Sequence, residues 1–371
     1  MSWKHRISDW LRPFDLLYDR LKRHWKTIKS SKRLSPIQLM AYRGYCSSEK
    51  LWLKGRVLED QLIVARREDS VWRNVVNTYK RFNSREIWGA KVDIRVGEQS
   101  FLLQSDREGY FELDIATPKS FLQPANAWLH PIIDLIRTPW TTVDQQSEGE
   151  VLFPIQPKFG VITDIDDTII HTGVASRLMW RAIYRTILKN AGSRVSIKEA
   201  SAFFRALSKD QTTDQFFNPV FYVSNSPWNL YDLIDDFLRF NQLPKGPILL
   251  RDLGLPTDPR PSGYKGHKFE TISRILHTYP DLKFVLIGDS GEKDTDIYLD
   301  VTQQFPGRII AIYIRDVQHQ GRTARVRNLI ENSGRAEVKL LTHFGEAVPH
   351  AEALGLLKTR VYNDYFGQAR G

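Results

Sequence analysis

The sequence predicts an α/β protein: a doubly wound parallel sheet, preceded by an antiparallel β-sandwich and a basic amphipathic N-terminal helix. Three observations carry this reading. Over residues 1–35, Trp3, Ile7, Trp10, Phe14, Leu17, Leu21, Trp25 and Ile28 recur at spacings of three and four, the helical period. From 36 to 155, short runs alternate apolar with polar between turn residues, as half-buried antiparallel strands do. From 156 to 371, short apolar runs alternate with helical patterns, which builds a parallel sheet. A chain of 371 residues is long enough for these to be separate units.

The arm concentrates charge. The chain carries a net charge of +10, and residues 1–35 hold ten Lys or Arg against three Asp. Pro13 kinks the helix or starts a second one. Trp and Leu on one side, with Lys and Arg on the others, suit a helix lying on an anionic membrane surface. Docking of the same face on the protein's own core, or a plain solvated face, gives the same pattern. No nucleic-acid-binding motif is present, so no nucleic-acid partner is expected. No apolar run approaches the ~20 residues that span a bilayer. The N-terminus lacks an apolar signal core and a small-residue cleavage site. Cys46 is the one cysteine, so no intramolecular disulfide forms. A cytoplasmic protein, associated peripherally with membrane, is the expectation. Cys46 itself reads as a bystander.

In the second unit, Leu51–Val57, Lys91–Val96, Ser100–Leu103 and Gly109–Ile115 read as strands, separated by turn residues such as Gly97 and Ser105-Asp106. Residues 66–86 are read as a helix or a long loop. No catalytic constellation falls here, which leaves a binding or scaffolding role.

In the third unit the candidate strands are Phe159–Thr163, Val220–Ser224, Ile248–Leu250, Lys283–Ile287 and Ile309–Ile314, with helices such as Trp228–Phe240 and His267–Thr278 between them. Ligands of such sheets bind outside the carboxyl ends of the strands. There the sequence places Asp164-Ile165-Asp166-Asp167-Thr168, Ser224-Asn225-Ser226, Arg251-Asp252, Gly288-Asp289-Ser290-Gly291-Glu292-Lys293-Asp294 and Arg315-Asp316. One such cluster is a turn or a helix cap. Several on one sheet edge are harder to explain as caps.

Carboxylates gathered at one edge repel one another unless a cation sits among them. Oxygen-only ligands favour Mg²⁺, which pairs in turn with phosphate oxygens. A carboxylate can attack phosphorus, and a second can move the proton between leaving and attacking oxygens. A hydroxyl and a lysine can hold the phosphoryl oxygens. The strand ends supply Asp164, Asp166, Asp289, Asp294 and Ser224, and the next helix start supplies Lys265 and Lys268.

The ordered set DIDDT, YVSNS, a lysine and GDSGEKD resembles the four motifs of the haloacid dehalogenase phosphatase superfamily, over about 160–320. More closely, TDIDDTI, FYVSNSPWNL, GPILLRD, His267-Lys268, LIGDSGEKD and AIYIRDV resemble the catalytic domain of actin-patch-protein-type phosphatidate phosphatases. The region ending at Val151-Leu152-Phe153-Pro154 resembles, more loosely, what precedes that domain. The resemblance implies a Mg²⁺-dependent phosphatase converting phosphatidate to diacylglycerol. It implies Asp164 as nucleophile and Asp166 as general acid/base, lending its backbone carbonyl to the metal. Asp289 follows as a metal ligand, Asp294 as the orienter of metal-bound water, and Ser224 as a phosphoryl-oxygen donor. Lys268 matches the family's His-Lys pair, with Lys265 in reserve. Asn225 and Arg251 are further substrate-binding candidates, although Arg251 with Asp252 reads equally as a structural ion pair. Asp167 is surplus, since related motifs often carry Gly there. Roughly 55 residues separate the first two motifs, too few for a large lid, so only a minimal cap is expected. Trp228 reads as a packing residue, and neither His171 nor His267 falls where the mechanism needs one. Two rival functions stand beside this one: a phosphatase of soluble phosphomonoesters, and a lipid- or partner-binding protein with an idle catalytic domain.

Overall fold

Strand pairing separates the chain into one parallel sheet and two sheets built mainly from antiparallel pairs. The computed structural model describes residues 37–59, 86–118, 127–165, 191–209, 217–252, 266–291, 293–317, 320–334 and 337–368. The N-terminal arm, residues 66–85, Asp166, Asp167, His171 and Lys265 lie outside the described residues.

The first sheet joins β1 (Ile37–Ala41), β3 (Lys50–Glu59), β2 (Gly44–Cys46), β10 (Val151–Leu152) and β7 (Trp128–Leu129) in that order, with β6 (Tyr110–Ala116) paired to β3. The second has the order β5 (Gln99–Gln104), β4 (Lys91–Val96), β8 (Ile132–Arg137) and β9 (Thr142–Glu148). One core cluster holds Leu51, Leu53, Val57 and Phe111 of the first sheet with Val92, Ile94, Ile133 and Leu135 of the second. The alternating pattern follows from this: Val92, Ile94 and Val96 are buried while Lys91, Asp93 and Arg95 are not. One pair departs from the antiparallel expectation. β10 runs parallel to β2, and it is the last strand before the chain enters the next sheet.

The third sheet is six-stranded and parallel, in the order β13 (Ile248–Arg251), β12 (Val220–Pro227), β11 (Gly160–Asp164), β14 (Phe284–Asp289), β15 (Ile309–Arg315) and β16 (Val338–Leu341). All five strands read from the sequence are present, and β16 is added at one edge. Every residue of β11 and β14 is buried, as strands covered on both faces require. Between strands run α1 (Ala191–Ser208), α2 (Tyr231–Phe240), α3 (Gly266–Thr278), α4 (Asp294–Gln304) and α5 (Gln320–Ser333). After β16 come α6 (Val348–Ala353) and α7 (Thr359–Gln368), the latter packed on α1. The helix expected from Trp228 begins as a 3₁₀ turn, Trp228–Leu230, before α2.

Strand order places the site. The chain lays β12 and then β13 on one side of β11, and afterwards puts β14 on the other side. The reversal opens a crevice between the carboxyl ends of β11 and β14, where ligands of such sheets bind.

Aromatic side chains tie the antiparallel strands to the parallel sheet. Tyr42 stacks on Trp228 with ring centroids 4.6 Å apart, and Tyr45 meets Phe221 edge-on at 5.6 Å. Arg43 bonds Asp235 of α2 at 2.6 Å and Glu150 at 3.0 Å. Trp228 is thus a packing residue, as its sequence context suggests. Among the described residues no helix is long and apolar enough to cross a membrane.

Candidate active site

Two neighbouring strands end in aspartates at the crevice. Asp164 is the last residue of β11 and Asp289 the last of β14. Asp294 opens α4, five residues further on. All three are at most 1% exposed, and one carboxylate oxygen from each lies within 4.8 Å of the others.

Close packing sets this geometry. A Cβ on Gly288 would sit 2.7 Å from Asp294 Oδ2 and 2.8 Å from Tyr298 Cε2, so only glycine lets α4 approach β14 this closely. Asp294 Oδ2 accepts the Asp289 backbone N–H at 3.2 Å, and the Tyr298 hydroxyl donates to the Ile287 carbonyl at 2.9 Å. Asp289 Oδ1 accepts the N–H of Gly291. Burial, and then the charge of Asp294, hold the Tyr298 phenol protonated, well above its ordinary range.

The counter-charge comes from α3. Lys268 is 2% exposed, and its Nζ lies 2.8 Å from Asp164 Oδ1 and 2.7 Å from Asp294 Oδ1. One ammonium does not balance three carboxylates. Two unit charges at this separation repel by roughly 3–4 kcal/mol at an effective dielectric of about 20, before compensation. Three buried oxygen donors with one lysine fit a hard divalent cation.

The other candidates line the same edge at increasing distance. Val223 faces Asp164 in register, so Ser224 follows directly beside it. Ser224 is fully buried, its Oγ accepting the Ser226 N–H at 2.9 Å. Asn225 is half-buried on the same strand end. Arg251 ends β13, the outer strand, and is exposed. Asp252 is engaged from the antiparallel side by Lys54 Nζ at 3.5 Å. The structure therefore brings Asp164, Asp289, Asp294 and Lys268 together with Ser224 adjacent, and leaves Arg251 at the rim.

Several residues at this edge escape the sequence reading. Lys54 and Arg56 of β3 are 7% and 6% exposed; Arg56 hydrogen-bonds Asn229, and Lys54 lies over the Tyr110 ring at 4.7 Å. Two cations within an otherwise largely apolar run, residues 51–58, all of it buried, are the signal that marks them. Burial with Asp252 pushes the Glu108 carboxyl up to about 7. Burial, with Arg274 nearby, lowers His267 to about 4 and keeps it neutral. Ser290, Asp316 and Thr323 form a further chain, Thr323 Oγ1 donating to Asp316 at 2.6 Å.

Residues 159–316 match the family model of the phosphatidate phosphatase APP1 catalytic domain. Over 157 residues, 42% of this chain and 25% of the relative, the sequence is 36% identical to phosphatidate phosphatase APP1 of Saccharomyces cerevisiae. Over 289 residues, 78% of this chain and 43% of the relative, it is 26% identical to the uncharacterized protein C29B5.04c of Schizosaccharomyces pombe. The chain thus spans less than half the length of either relative. Among solved structures, a carbohydrate acetylesterase from Xanthomonas citri aligns over 77% of this chain and 71% of its own at 10% identity, with a TM-score of 0.26. A likeness that low carries no argument.

Proposed function

We propose, from the premise that residues 159–316 belong to the phosphatidate phosphatase APP1 catalytic-domain family, that this protein is a Mg²⁺-dependent phosphatidate phosphatase acting at a membrane surface. In this reading residues 156–371 form a haloacid-dehalogenase-type catalytic domain with a minimal cap. Residues 36–155 are its sandwich partner, and residues 1–35 a membrane-binding arm. The observation that carries the reading is the buried trio Asp164, Asp289 and Asp294 with Lys268 among them, at the crevice between β11 and β14.

Asp164 attacks phosphorus; a bond forms from its carboxylate oxygen as the bond to the alcohol oxygen breaks. Asp166, assigned on the family resemblance, gives the departing diacylglycerol oxygen its proton. Water then attacks the aspartyl-phosphate. Asp166 takes a proton from that water, and inorganic phosphate leaves with the Asp164 carboxylate restored. Ser224, Asn225 and Lys268 or Lys265 hold the phosphoryl oxygens, with Arg251 at the rim. Asp164, Asp289 and Asp294, with the Asp166 carbonyl, would hold Mg²⁺, which when bound offsets the negative charge of the phosphoryl group. Lys268, at ion-pair distance from both Asp164 and Asp294, supplies these carboxylates with a compensating positive charge.

The test is phosphate release from phosphatidate in mixed micelles, alongside lysophosphatidate and soluble phosphomonoesters, with and without EDTA. Turnover of phosphatidate that EDTA stops and Asp164→Asn abolishes is the expected result. Strong turnover of a soluble ester with none on phosphatidate would reject the lipid substrate. Full activity of Asp164→Asn would reject the nucleophile.

A further inference from the structure

β12 loses its register with β13 where the site begins. Tyr222 and Val223 pair with Ile248 and Leu249, and the next pair is Pro227 with Arg251. Leu250 of β13 is therefore opposed by Ser224-Asn225-Ser226 of β12. Bulges of this kind re-aim side chains beside active sites, and this one carries the hydroxyl next to Asp164. Ser224 Oγ accepts the Ser226 N–H across the bulge at 2.9 Å. A strand end released from its ladder needs other contacts to hold it in one place.

Those contacts come from β3. Its Leu51, Leu53 and Val57 enter the core shared with the second antiparallel sheet. Trp52, Lys54 and Arg56 alternate with them and so face the parallel sheet. Arg56 donates to the side-chain carbonyl of Asn229, two residues past the bulge, and through Nε to the Glu108 carbonyl at 2.9 Å, with Glu86 at 3.6 Å. Lys54 Nζ lies 5.4 Å from the centre of the Trp228 ring, and 3.5 Å from Asp252, beside Arg251, and from Glu112. Tyr42 stacks on Trp228 as well. Buried cations cost free energy unless they are paired. Packing alone calls for apolar side chains at these two positions; the cations instead meet polar groups at the carboxyl ends of β12 and β13. Arg43 joins the antiparallel strands to the parallel sheet elsewhere. Its partners are Asp235 of α2 and Glu150, and Glu150 also holds Lys245, which precedes the start of β13.

We propose that Arg56 and Lys54 are positioning residues: they fix the bulged end of β12, so that Ser224 and Asn225 meet the phosphoryl group in one orientation. The antiparallel strands then complete the active site rather than merely adjoining it. The role rests on the phosphatase reading, and acts through Asn229, Trp228 and Asp252 rather than by contact with substrate.

The full chain is compared with Arg56→Met, Asn229→Ala, the double variant and Arg43→Met. Phosphate release is measured from phosphatidate in mixed micelles and from p-nitrophenyl phosphate. Amide hydrogen exchange is followed by mass spectrometry in peptides covering residues 222–231. Arg56→Met and Asn229→Ala should each lower kcat/KM about ten-fold or more, and the double variant no further, since one contact is removed by either change. The 222–231 amides should exchange faster in all three. Asn229 is half-buried, so Asn229→Ala keeps the test open should Arg56→Met fail to fold. Arg43→Met should lower the melting temperature and leave kcat/KM and these amides as in the wild type. Wild-type kcat/KM in Asn229→Ala, or an equal fall in Arg43→Met, overturns the proposal. A wild type without turnover on any phosphoester instead rejects the phosphatase reading and takes this role with it.

Discussion

At the scale of single residues, the boundary between the antiparallel strands and the parallel sheet carries groups whose protonation matters. Glu108 hydrogen-bonds Asp252, and burial with that neighbouring charge raises its pKa from 4.5 to about 7. Between those values the folded protein holds a proton that the unfolded chain has released. The contribution is complete below the unfolded pKa and is lost as pH rises through the folded one. His267 works oppositely: lowered from 6.5 to about 4, it costs stability as pH falls through that window. Glu108→Gln keeps a hydrogen-bonding amide toward Asp252 but cannot titrate. Its melting temperature relative to wild type should rise from about pH 5 to about pH 8. Thermal melts across that range check this, and parallel curves for the two proteins would remove Glu108 as the cause.

At the scale of elements, the site depends on how closely α4 lies on β14 and where α3 begins. Gly288→Ala places a methyl group within 2.8 Å of both the Asp294 Cβ and Tyr298 Cε2. The helix must shift, at a cost of roughly 1–3 kcal/mol, and Asp294 moves with it. We expect a lower melting temperature and turnover reduced by at least about ten-fold, a loss of about 1.4 kcal/mol in transition-state stabilisation. Equal melting and equal kinetics in the variant would show that the contact is easily relaxed. The strands themselves are legible in the sequence, because buried parallel strands are continuous apolar runs: Gly160–Asp164 and Phe284–Asp289 are buried at every position. β16 is less legible. It sits at the sheet edge with Lys339 and Leu340 half-buried, so its four residues lack an unbroken run.

At the scale of the whole molecule, one core cluster contains Tyr42, Tyr45, Trp52, Tyr110 and Leu152 together with the strands and helices of the parallel sheet. A fragment beginning at residue 156 would expose Phe221, Trp228, Tyr231 and Tyr279, which those side chains cover. Exposed apolar area of that kind is sticky in water. The fragment should melt well below the full chain and associate in sedimentation experiments. A monomeric fragment with the full chain's melting temperature would show the interface to be dispensable.

The sequence by itself determines the class of sheet from 156 onward, the strand-end acids and the lysine-bearing helix, because each is written in local pattern: apolar runs, period and motif spacing. Which acids meet is not local. Asp289 and Asp294 stand more than a hundred residues from Asp164, and only the reversal of strand order between β11 and β14 sets them within 4.8 Å of one another. The place of Lys54, Arg56 and Glu108 beside the crevice is likewise a tertiary fact. Lys54 and Arg56 sit on β3 and Glu108 in the β5–β6 turn, and their local pattern announces a sheet, but not the surface that sheet packs against.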